Sequence, residues 1–328
     1  MILNQIKYCP GTLAEGHTTY SRVCLSKLFK GRKVYHILPY DSPASNIETN
    51  KLFNNNRKRM SISGVQEKFS MLLYKNKLRL IHEGEQGEYI LKPIPSAGNR
   101  PECMPANEHL TMQIAKQAFG IEVAENALIF FKNGSPAYIT KRFDLKEDGS
   151  KLAQEDFASL SRKTSQTHGE YYKYSGHYLE LFEIMKKFVP AYLLEAPKLL
   201  KVLIFNYLFS NGDVHLKNFS LIETSMGDFK LSPAYDLFNS SLHIEDTDFA
   251  LEYGLLPKKL AQGNVSAQFR ALSQKAGINK KIYDDILGVM LNQTSLVKKL
   301  TFSSFLDKKI QRNYFQSYQR RLKKLTKE

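Results

Sequence analysis

Short apolar runs, closely spaced and broken by turn residues, occupy the stretch between residues 69 and 144. FSMLLY at 69–74, KLRLI at 77–81 and EYILKP at 88–93 are separated by Asn76 and by Gly84 and Gly87. This spacing predicts three strands in an antiparallel meander. NALIFF at 126–131 and PAYITKRFD at 136–144 predict two more. Between the two groups, the loop Pro95–Pro105 leads into NEHLTMQIAKQAF, a predicted helix with Asn107 as N-cap and Gly120 as its stop. Past about residue 150 the texture changes to long helical stretches. Leu199–Phe209, LLKVLIFNYLF, is apolar nearly all round, which predicts a buried central helix running straight into Ser210-Asn211-Gly212-Asp213. In Val297–Glu328 apolar residues recur at roughly helical spacing, from Leu300 and Phe305 through Tyr314 and Tyr318 to Leu325, predicting one amphipathic helix. The pattern as a whole predicts an α+β fold of two lobes, strand-rich then helical. It divides into a short N-terminal segment 1–60, an N-lobe 61–150 and a C-lobe 151–328. Within the first segment, Asn54-Asn55-Asn56-Arg57-Lys58-Arg59 reads as an exposed loop.

Composition narrows the class. A chain of 328 residues with 42% hydrophobic and 24% charged residues is globular, not disordered or fibrous. The balance of 47 Lys and Arg against 32 Asp and Glu leaves a net charge of +15, which favours an anionic partner: nucleic acid, nucleotide phosphates or an acidic protein. Val297–Glu328 holds ten of the basic residues against two acidic ones. No apolar run of about 18 residues is present, so no membrane helix is expected. The first residues lack the pattern of a signal peptide. Three cysteines, Cys9, Cys24 and Cys103, have the wrong parity for a disulfide framework. Together these features favour the cytoplasm and no membrane association.

The sharpest chemical pattern is Asn211-Gly212-Asp213-Val214-His215-Leu216-Lys217-Asn218, followed by Tyr235-Asp236. An Asp, an Asn five residues on and a later Asp are what phosphoryl transfer uses. One carboxylate orients and deprotonates the attacking hydroxyl, while an amide oxygen and a second carboxylate hold Mg²⁺ against a triphosphate. Lys217 would place positive charge beside the transferred group. The competing reading is a polar loop whose Asp and Asn cap helices. Ser61-Ile62-Ser63-Gly64-Val65-Gln66-Glu67-Lys68 suits a phosphate-binding loop or a plain turn. Lys92 sits inside an apolar strand, where it needs either a phosphate partner or a path to solvent at the strand edge. Glu108, sixteen residues on, is a possible carboxylate partner. The favoured reading of Glu108 is an acidic residue at a helix start, stabilised by the helix dipole.

These motifs resemble a family. The order Ser-Ile-Ser-Gly-Val-Gln-Glu-Lys, Ile-Leu-Lys-Pro, Asn-Glu-His, Lys-Arg-Phe-Asp, Gln-Glu-Asp, Gly-Asp-x-His-x-Lys-Asn-Phe-Ser and Pro-x-Tyr-Asp, across residues 60–245, is similar to the HipA-type serine/threonine kinases, toxins of bacterial toxin–antitoxin modules. The resemblance implies a two-lobed kinase-like fold, with ATP and Mg²⁺ as cofactors. It implies Asp213 as the catalytic Asp, assisted by Lys217, and Asn218 and Asp236 as Mg²⁺ ligands. The nucleotide would be held by Ser63, Gly64, Val65, Gln66, Glu67 and Lys68, and by Lys92. The hinge Lys141-Arg142-Phe143, with His215, Asn218, Tyr235 and Asp236, would complete that site. Lys141 and Phe143 would meet adenine through backbone groups; the family often has an acidic residue where Lys141 stands. Gln154-Glu155-Asp156 matches a family signature without revealing its role.

The short stretch before the phosphate loop looks like the HipT-like branch, in which the missing piece is a separate small HipS-like protein. Ser61 and Ser63 fit that branch and are the expected autophosphorylation sites. A phosphate there adds roughly −2 charge where ATP phosphates must sit. The implied substrate is a translation factor such as an aminoacyl-tRNA synthetase. The implied partner is a HipB-like antitoxin, which would connect the chain to DNA indirectly. Two alternatives stay open: a DNA-associated corepressor with a secondary or inactive kinase site, and a small-molecule or lipid kinase, whose loop resembles that of phosphoinositide kinases. Cys9 and Cys24 also match the second and fourth places of a zinc knuckle found in some related chains. Ile6 and Ser21 stand at the other two, so the expectation is a degenerate, metal-free remnant.

Overall fold

The computed structural model describes residues 6–43, 53 and 67–326. The first layer is a five-stranded antiparallel sheet. Its strands are β1 (Phe69–Tyr74), β2 (Lys77–Leu80), β3 (Tyr89–Pro93), β4 (Asn126–Phe130) and β5 (Pro136–Lys141), in the order β2-β1-β3-β5-β4. The five segments lie where the sequence predicts them, but the first three do not form a simple meander. β3 pairs with β1, Phe69 opposite Leu91, and β2 is left at the edge. Gly87 permits this approach: a Cβ there would stand 2.0 Å from Ser70 Oγ and 2.9 Å from the Met71 carbonyl oxygen.

The two-residue period of the strands sorts side chains between two cores. Leu91, Ala127, Ile129, Ala137 and Ile139 face one cluster with Phe29, Phe53, Phe69 and Met71. Leu128 and Tyr138, on the other face, join the larger cluster that runs through the helical half. The first cluster is closed by α1 (Arg22–Phe29), which Ser21 caps by accepting the Cys24 N–H. Residues 10–38 also cover the β4 edge: the Leu128 N–H donates to the Pro10 carbonyl, the Phe130 N–H to the His36 carbonyl, and the Leu38 N–H to the Phe130 carbonyl. An edge covered in this way cannot template another strand.

Helix α2 (Met104–Gln117) packs on the opposite face of the sheet. It starts three residues before the expected N-cap. Asn107 therefore lies inside the helix, fully buried, and its amide makes a different set of bonds. Nδ2 donates to the Asn239 carbonyl at 2.9 Å, and Oδ1 accepts the Asn239 N–H at 3.0 Å. A side-chain amide paired with a backbone amide in this way joins the strand-rich half to the chain just past Asp236.

The second half is helical but carries a small sheet that its sequence texture does not predict. Strands β6 (Gln154–Asp156), β7 (Ser220–Glu223) and β8 (Phe229–Leu231) pair antiparallel in that order. After β6 come two short helices, α3 (Phe157–Leu160) and α4 (Ser165–His168), then α5 (Leu179–Phe188) and α6 (Tyr192–Leu208). The apolar run read as a central helix forms the C-terminal part of α6. From Leu199 to Leu208 only Lys201 is not buried.

Four helices follow: α7 (Val265–Lys275), α8 (Lys280–Leu291), α9 (Thr294–Phe302) and α10 (Lys308–Leu325). The predicted single C-terminal helix is thus two helices. Asp307 ends the break between them, because its carboxylate accepts the N–H groups of Lys309 and Ile310 and starts a new helix. α10 docks on the end of α6, with Phe209 stacked on Tyr318 at 5.0 Å between ring centroids. No helix among the described residues is long and apolar enough to cross a membrane.

Candidate phosphoryl-transfer site

Lys92 lies on β3 opposite Tyr138, on the sheet face that α2 covers. That register explains why the lysine turns inward. Its ammonium, 4% exposed as a residue, donates to Glu108 Oε1 at 2.6 Å and to Asp236 Oδ1 at 2.5 Å, and sits 5.3 Å above the Tyr138 ring. Glu108 is not stabilised as a helix-start residue. It lies within the first turns of α2, 3% exposed, and pairs with the strand lysine. Asp236 receives a second cation, with Lys68 Nζ 3.7 Å from Oδ2.

The electrostatics follow from this arrangement. Burial by itself would lower the Lys92 pKa, but Asp236 and Glu108 outweigh it, so the value is raised and the lysine is charged. Burial likewise works to raise Asp236, yet Lys92 and Lys68 hold its carboxyl well below the ordinary range. For Glu108, burial wins and the value is raised despite Lys92.

Asp213 and Asn218 come from the loop after α6. The loop is shaped by buried hydrogen bonds. The Gly212 N–H donates to Ser240 Oγ at 2.7 Å, Ser240 Oγ donates to the Ser210 carbonyl at 2.8 Å, and Asn211 Nδ2 donates to Asn206 Oδ1 at 2.7 Å. A Cβ at Gly212 would stand 2.6 Å from Thr247 Oγ1, so a larger residue must displace that hydroxyl. Leu216–Asn218 form a 3₁₀ turn, and Asn218 Oδ1 accepts the His215 N–H at 3.0 Å. This bond fixes the amide and leaves the oxygen's other lone pair available for a cation. His215 is buried, and burial together with the Lys173 ammonium lowers its pKa to about 4, against the pull of Asp213 and Asp236. Its imidazole is therefore neutral at physiological pH.

Asp236 has a φ of +54°, and the strand-like segment before it is held across the fold. The Ala234 N–H donates to the Glu122 carbonyl, and the Ala124 N–H to the Ala234 carbonyl. Tyr235 Oη donates to the Lys217 carbonyl at 3.0 Å, and its ring lies 5.8 Å from that of Phe143. Lys217 Nζ is 3.5 Å from Asp156 Oδ2. The same Asp156 accepts the Ser159 N–H and caps α3. The Gln154-Glu155-Asp156 signature thereby acquires a physical role: a strand beside β7 that delivers a carboxylate to the loop lysine.

The structure thus gathers Lys68, Lys92, Asp213, His215, Lys217, Asn218, Tyr235 and Asp236 in one region, with Phe143 beside it. Lys141 and Arg142 are placed by the sheet. The Lys141 N–H donates to the Glu125 carbonyl, and the Arg142 guanidinium grips Asp144 with two bonds, one of 3.0 Å and one of 2.5 Å. Glu67 immediately precedes Lys68. Ser61, Ser63, Gly64, Val65 and Gln66 lie outside the described residues, as does the 54–59 loop. At the N-terminus, Cys9 and Cys24 are free thiols; Cys9 Sγ accepts N–H groups from Ser21 at 3.1 Å and from Gly11 and Thr12 at 3.4 Å. Among the described residues no group of three or more His, Cys, Asp or Glu side chains is arranged to hold a metal ion.

Three contributors went unassigned from sequence: Asn107 as a tie to Asn239, Tyr174, and Arg321. Tyr174 Oη donates to Asp213 Oδ1 at 2.6 Å. Arg321, on the basic α10, is 3% exposed. It binds Asp246, Asp248 and the Thr247 carbonyl, reaches Ser210 Oγ, and lies over Tyr207. Its only sequence signal is a position in step with the buried Tyr314 and Tyr318.

A strand lysine bridging a helix glutamate and an aspartate, in a chain that also carries an Asp-x₄-Asn loop, points to the class: a two-lobed kinase-like fold with a candidate phosphoryl-transfer site. Comparison with known proteins gives the family. The model of the HipA-like C-terminal domain matches residues 60–296, and the chain belongs to that family. A Haemophilus influenzae protein named "Putative kinase" is 26% identical over 272 residues, spanning 79% of this chain and 76% of that protein. "Putative kinase Y4dM" of Sinorhizobium fredii is 32% identical over 247 residues, 70% of this chain and 57% of the relative.

Among solved structures, a chain of the Shewanella oneidensis MR-1 toxin–antitoxin complex of HipA, HipB and operator DNA superposes with a TM-score of 0.60 at 19% identity, over 80% of this chain and 63% of that one. The Helicobacter pylori proinflammatory kinase CtkA superposes with a TM-score of 0.52 at 14% identity, over 77% and 90%. Both likenesses show the fold.

Proposed function

We propose that the protein is an ATP- and Mg²⁺-dependent serine/threonine protein kinase, acting as the toxin of a toxin–antitoxin module. The observation that carries this reading is the ion-pair chain Glu108–Lys92–Asp236, whose Asp236 and the loop Asp213 both act on the His215 imidazole. The donors suit the group. Asn218 Oδ1 and the Asp236 carboxylate are hard oxygens, and an ion of this kind takes its remaining ligands from phosphate and water. Bound Mg²⁺–ATP supplies the transferable γ-phosphoryl group and the charge that the metal offsets. Lys92 and Lys68 would pair with phosphate oxygens. Asp213 orients an acceptor hydroxyl and takes its proton, and Lys217 adds positive charge at the loop. Phe143 and Tyr235 offer apolar ring surface to a base.

The reading extends to the family's finer properties. Ser61 and Ser63 are the proposed autophosphorylation sites, consistent with the short HipT-like branch and a separate HipS-like protein. A HipB-like antitoxin is the proposed partner, and an aminoacyl-tRNA synthetase the proposed substrate class. The exposed basic residues of α10, among them Arg312, Arg320 and Lys323, favour a second, compatible role in a DNA-associated complex. Arg320 and Lys323 line a groove of about 710 Å³ with Arg100 and Ser241. Incubation with [γ-³²P]ATP and Mg²⁺ tests the main reading. Label is expected on the wild-type chain or an acceptor peptide, and not with Asp213→Asn. Equal labelling by the variant overturns it.

A further inference from the structure

Among the described residues, Tyr174 is the tyrosine whose hydroxyl binds the candidate catalytic carboxylate. We propose that Tyr174 is a positioning residue for Asp213, holding one carboxylate oxygen so that the other faces the acceptor hydroxyl; the proposal rests on the kinase reading of this site. Tyr174 Oη donates to Asp213 Oδ1 at 2.6 Å, and its ring meets the neutral His215 edge-on, 5.1 Å between centroids at 78°. Burial, and then its bond to Asp213, raise the Tyr174 pKa, so the phenol remains a proton donor over the working range.

The donor is fixed rather than hung on a loose loop. The Glu252 N–H donates to the Tyr174 carbonyl at 2.9 Å, the Tyr253 N–H to the Gly176 carbonyl at 3.0 Å, and the Tyr178 N–H to the Gly254 carbonyl at 2.9 Å. Lys163 Nζ binds the Ser175 carbonyl at 2.9 Å and Glu180 at 2.6 Å. Gly176, at φ +99°, makes room for that ion pair: a Cβ there would lie 2.4 Å from Glu180 Oε1 and 2.7 Å from Lys163 Nζ. Tyr174 is thus anchored from the 252–254 segment on one side and from Lys163 on the other. A short bond from a fixed phenol restricts rotation of the Asp213 carboxylate and holds Oδ1 in place. A general base must present its free lone pair within about 3 Å of the hydroxyl it serves. Holding the other oxygen achieves this before any acceptor arrives.

The opposing reading is a placeholder, with Tyr174 standing where the acceptor hydroxyl must go. The two differ in sign. Tyr174→Phe keeps the ring and removes only the donor. The expected result is a fall in kcat of about 10–100-fold, the cost of a misaligned reacting group. The KM values for ATP and for a serine-containing acceptor peptide, the affinity for trinitrophenyl-ATP and the melting temperature should stay within twofold or a few degrees. An unchanged or raised kcat with a lowered acceptor KM overturns the proposal. A second measurement does not depend on activity: carboxyl ¹³C NMR of aspartate-labelled protein, with Asp213 assigned through Asp213→Asn. Tyr174→Phe is expected to move or broaden the Asp213 signal and leave Asp236 in place; an unmoved Asp213 signal refutes the positioning role. Absence of ³²P transfer by the wild type would instead sink the kinase reading, and the NMR result would still decide the role of Tyr174.

Discussion

Replacing Lys92 by Met tests the ion-pair chain as a structural element. Met has nearly the same length and no charge, so the cavity term is small and the electrostatic term dominates. Two carboxylates lose their common cation. Asp236, with its side chain 26% exposed and Lys68 still at 3.7 Å, keeps water and a second partner. Glu108, 3% exposed, keeps neither. Stranding one member of a buried pair costs about 3–5 kcal/mol, and the lower end applies here because Glu108 can take up a proton. With a shift of roughly 2–4 °C per kcal/mol, the melting temperature should fall by about 6–12 °C at pH 8.

The pH dependence has a definite sign. The folded pKa of Glu108 is raised above its unfolded value of 4.5. Its favourable contribution is therefore fully present below 4.5 and is lost as pH rises through the folded value. Removing Lys92 raises the folded value further, so the deficit relative to wild type should be small near pH 4.5 and grow toward pH 8. The double variant Lys92→Met/Glu108→Leu removes both charges and should regain most of the loss. Thermal melts of the wild type, the single and the double variant between pH 4.5 and 8 read all of this. A single variant that melts like the wild type at every pH, or a double variant less stable than the single, would refute the reasoning.

Other expectations follow from the same geometry. Asn107→Ala leaves the buried N–H of Asn239 unpaired and its carbonyl with only the Leu242 N–H at 3.4 Å, and should cost about 1–3 kcal/mol in urea unfolding; no change would mean that this tie between the halves is dispensable. Arg321→Ala should cost only about 1–2 kcal/mol, because Asp246 and Asp248, 35% and 47% exposed, can turn to water. Arg321→Lys should restore little of it, since an ammonium cannot reproduce the forked contacts; full recovery by lysine would contradict the geometry. His215, with a folded pKa near 4 against an ordinary 6.5, contributes stability that is present above pH 6.5 and lost as pH falls through about 4. His215→Gln should therefore lose less stability than the wild type across that window, measured by denaturant titration at several pH values, and parallel losses would refute the assignment.

The sequence by itself located all five strands of the main sheet and the buried helix that ends at the Asn211–Asp213 loop. Those segments are continuous apolar runs bounded by turn residues, and their local pattern outweighs context. It also singled out Asp213, Asn218, Asp236 and Lys92, because their spacing suits one chemistry. It did not reveal the pairing of β3 with β1, the three-residue strand β6, or the break at Asp307. Those features rest on close backbone approach at Gly87, on a strand too short for periodicity, and on a single capping carboxylate. Tertiary structure alone decided the partners. Glu108 reads as a helix-start acid until α2 is laid on the face of β3 that carries Lys92. Arg321 reads as one more surface cation until α10 docks on α6 and buries it. Tyr174 carries no motif signal at all, because its bond to Asp213 spans thirty-nine residues. A period along the chain fixes which face a residue occupies; only the packing of one face against another fixes what that residue meets.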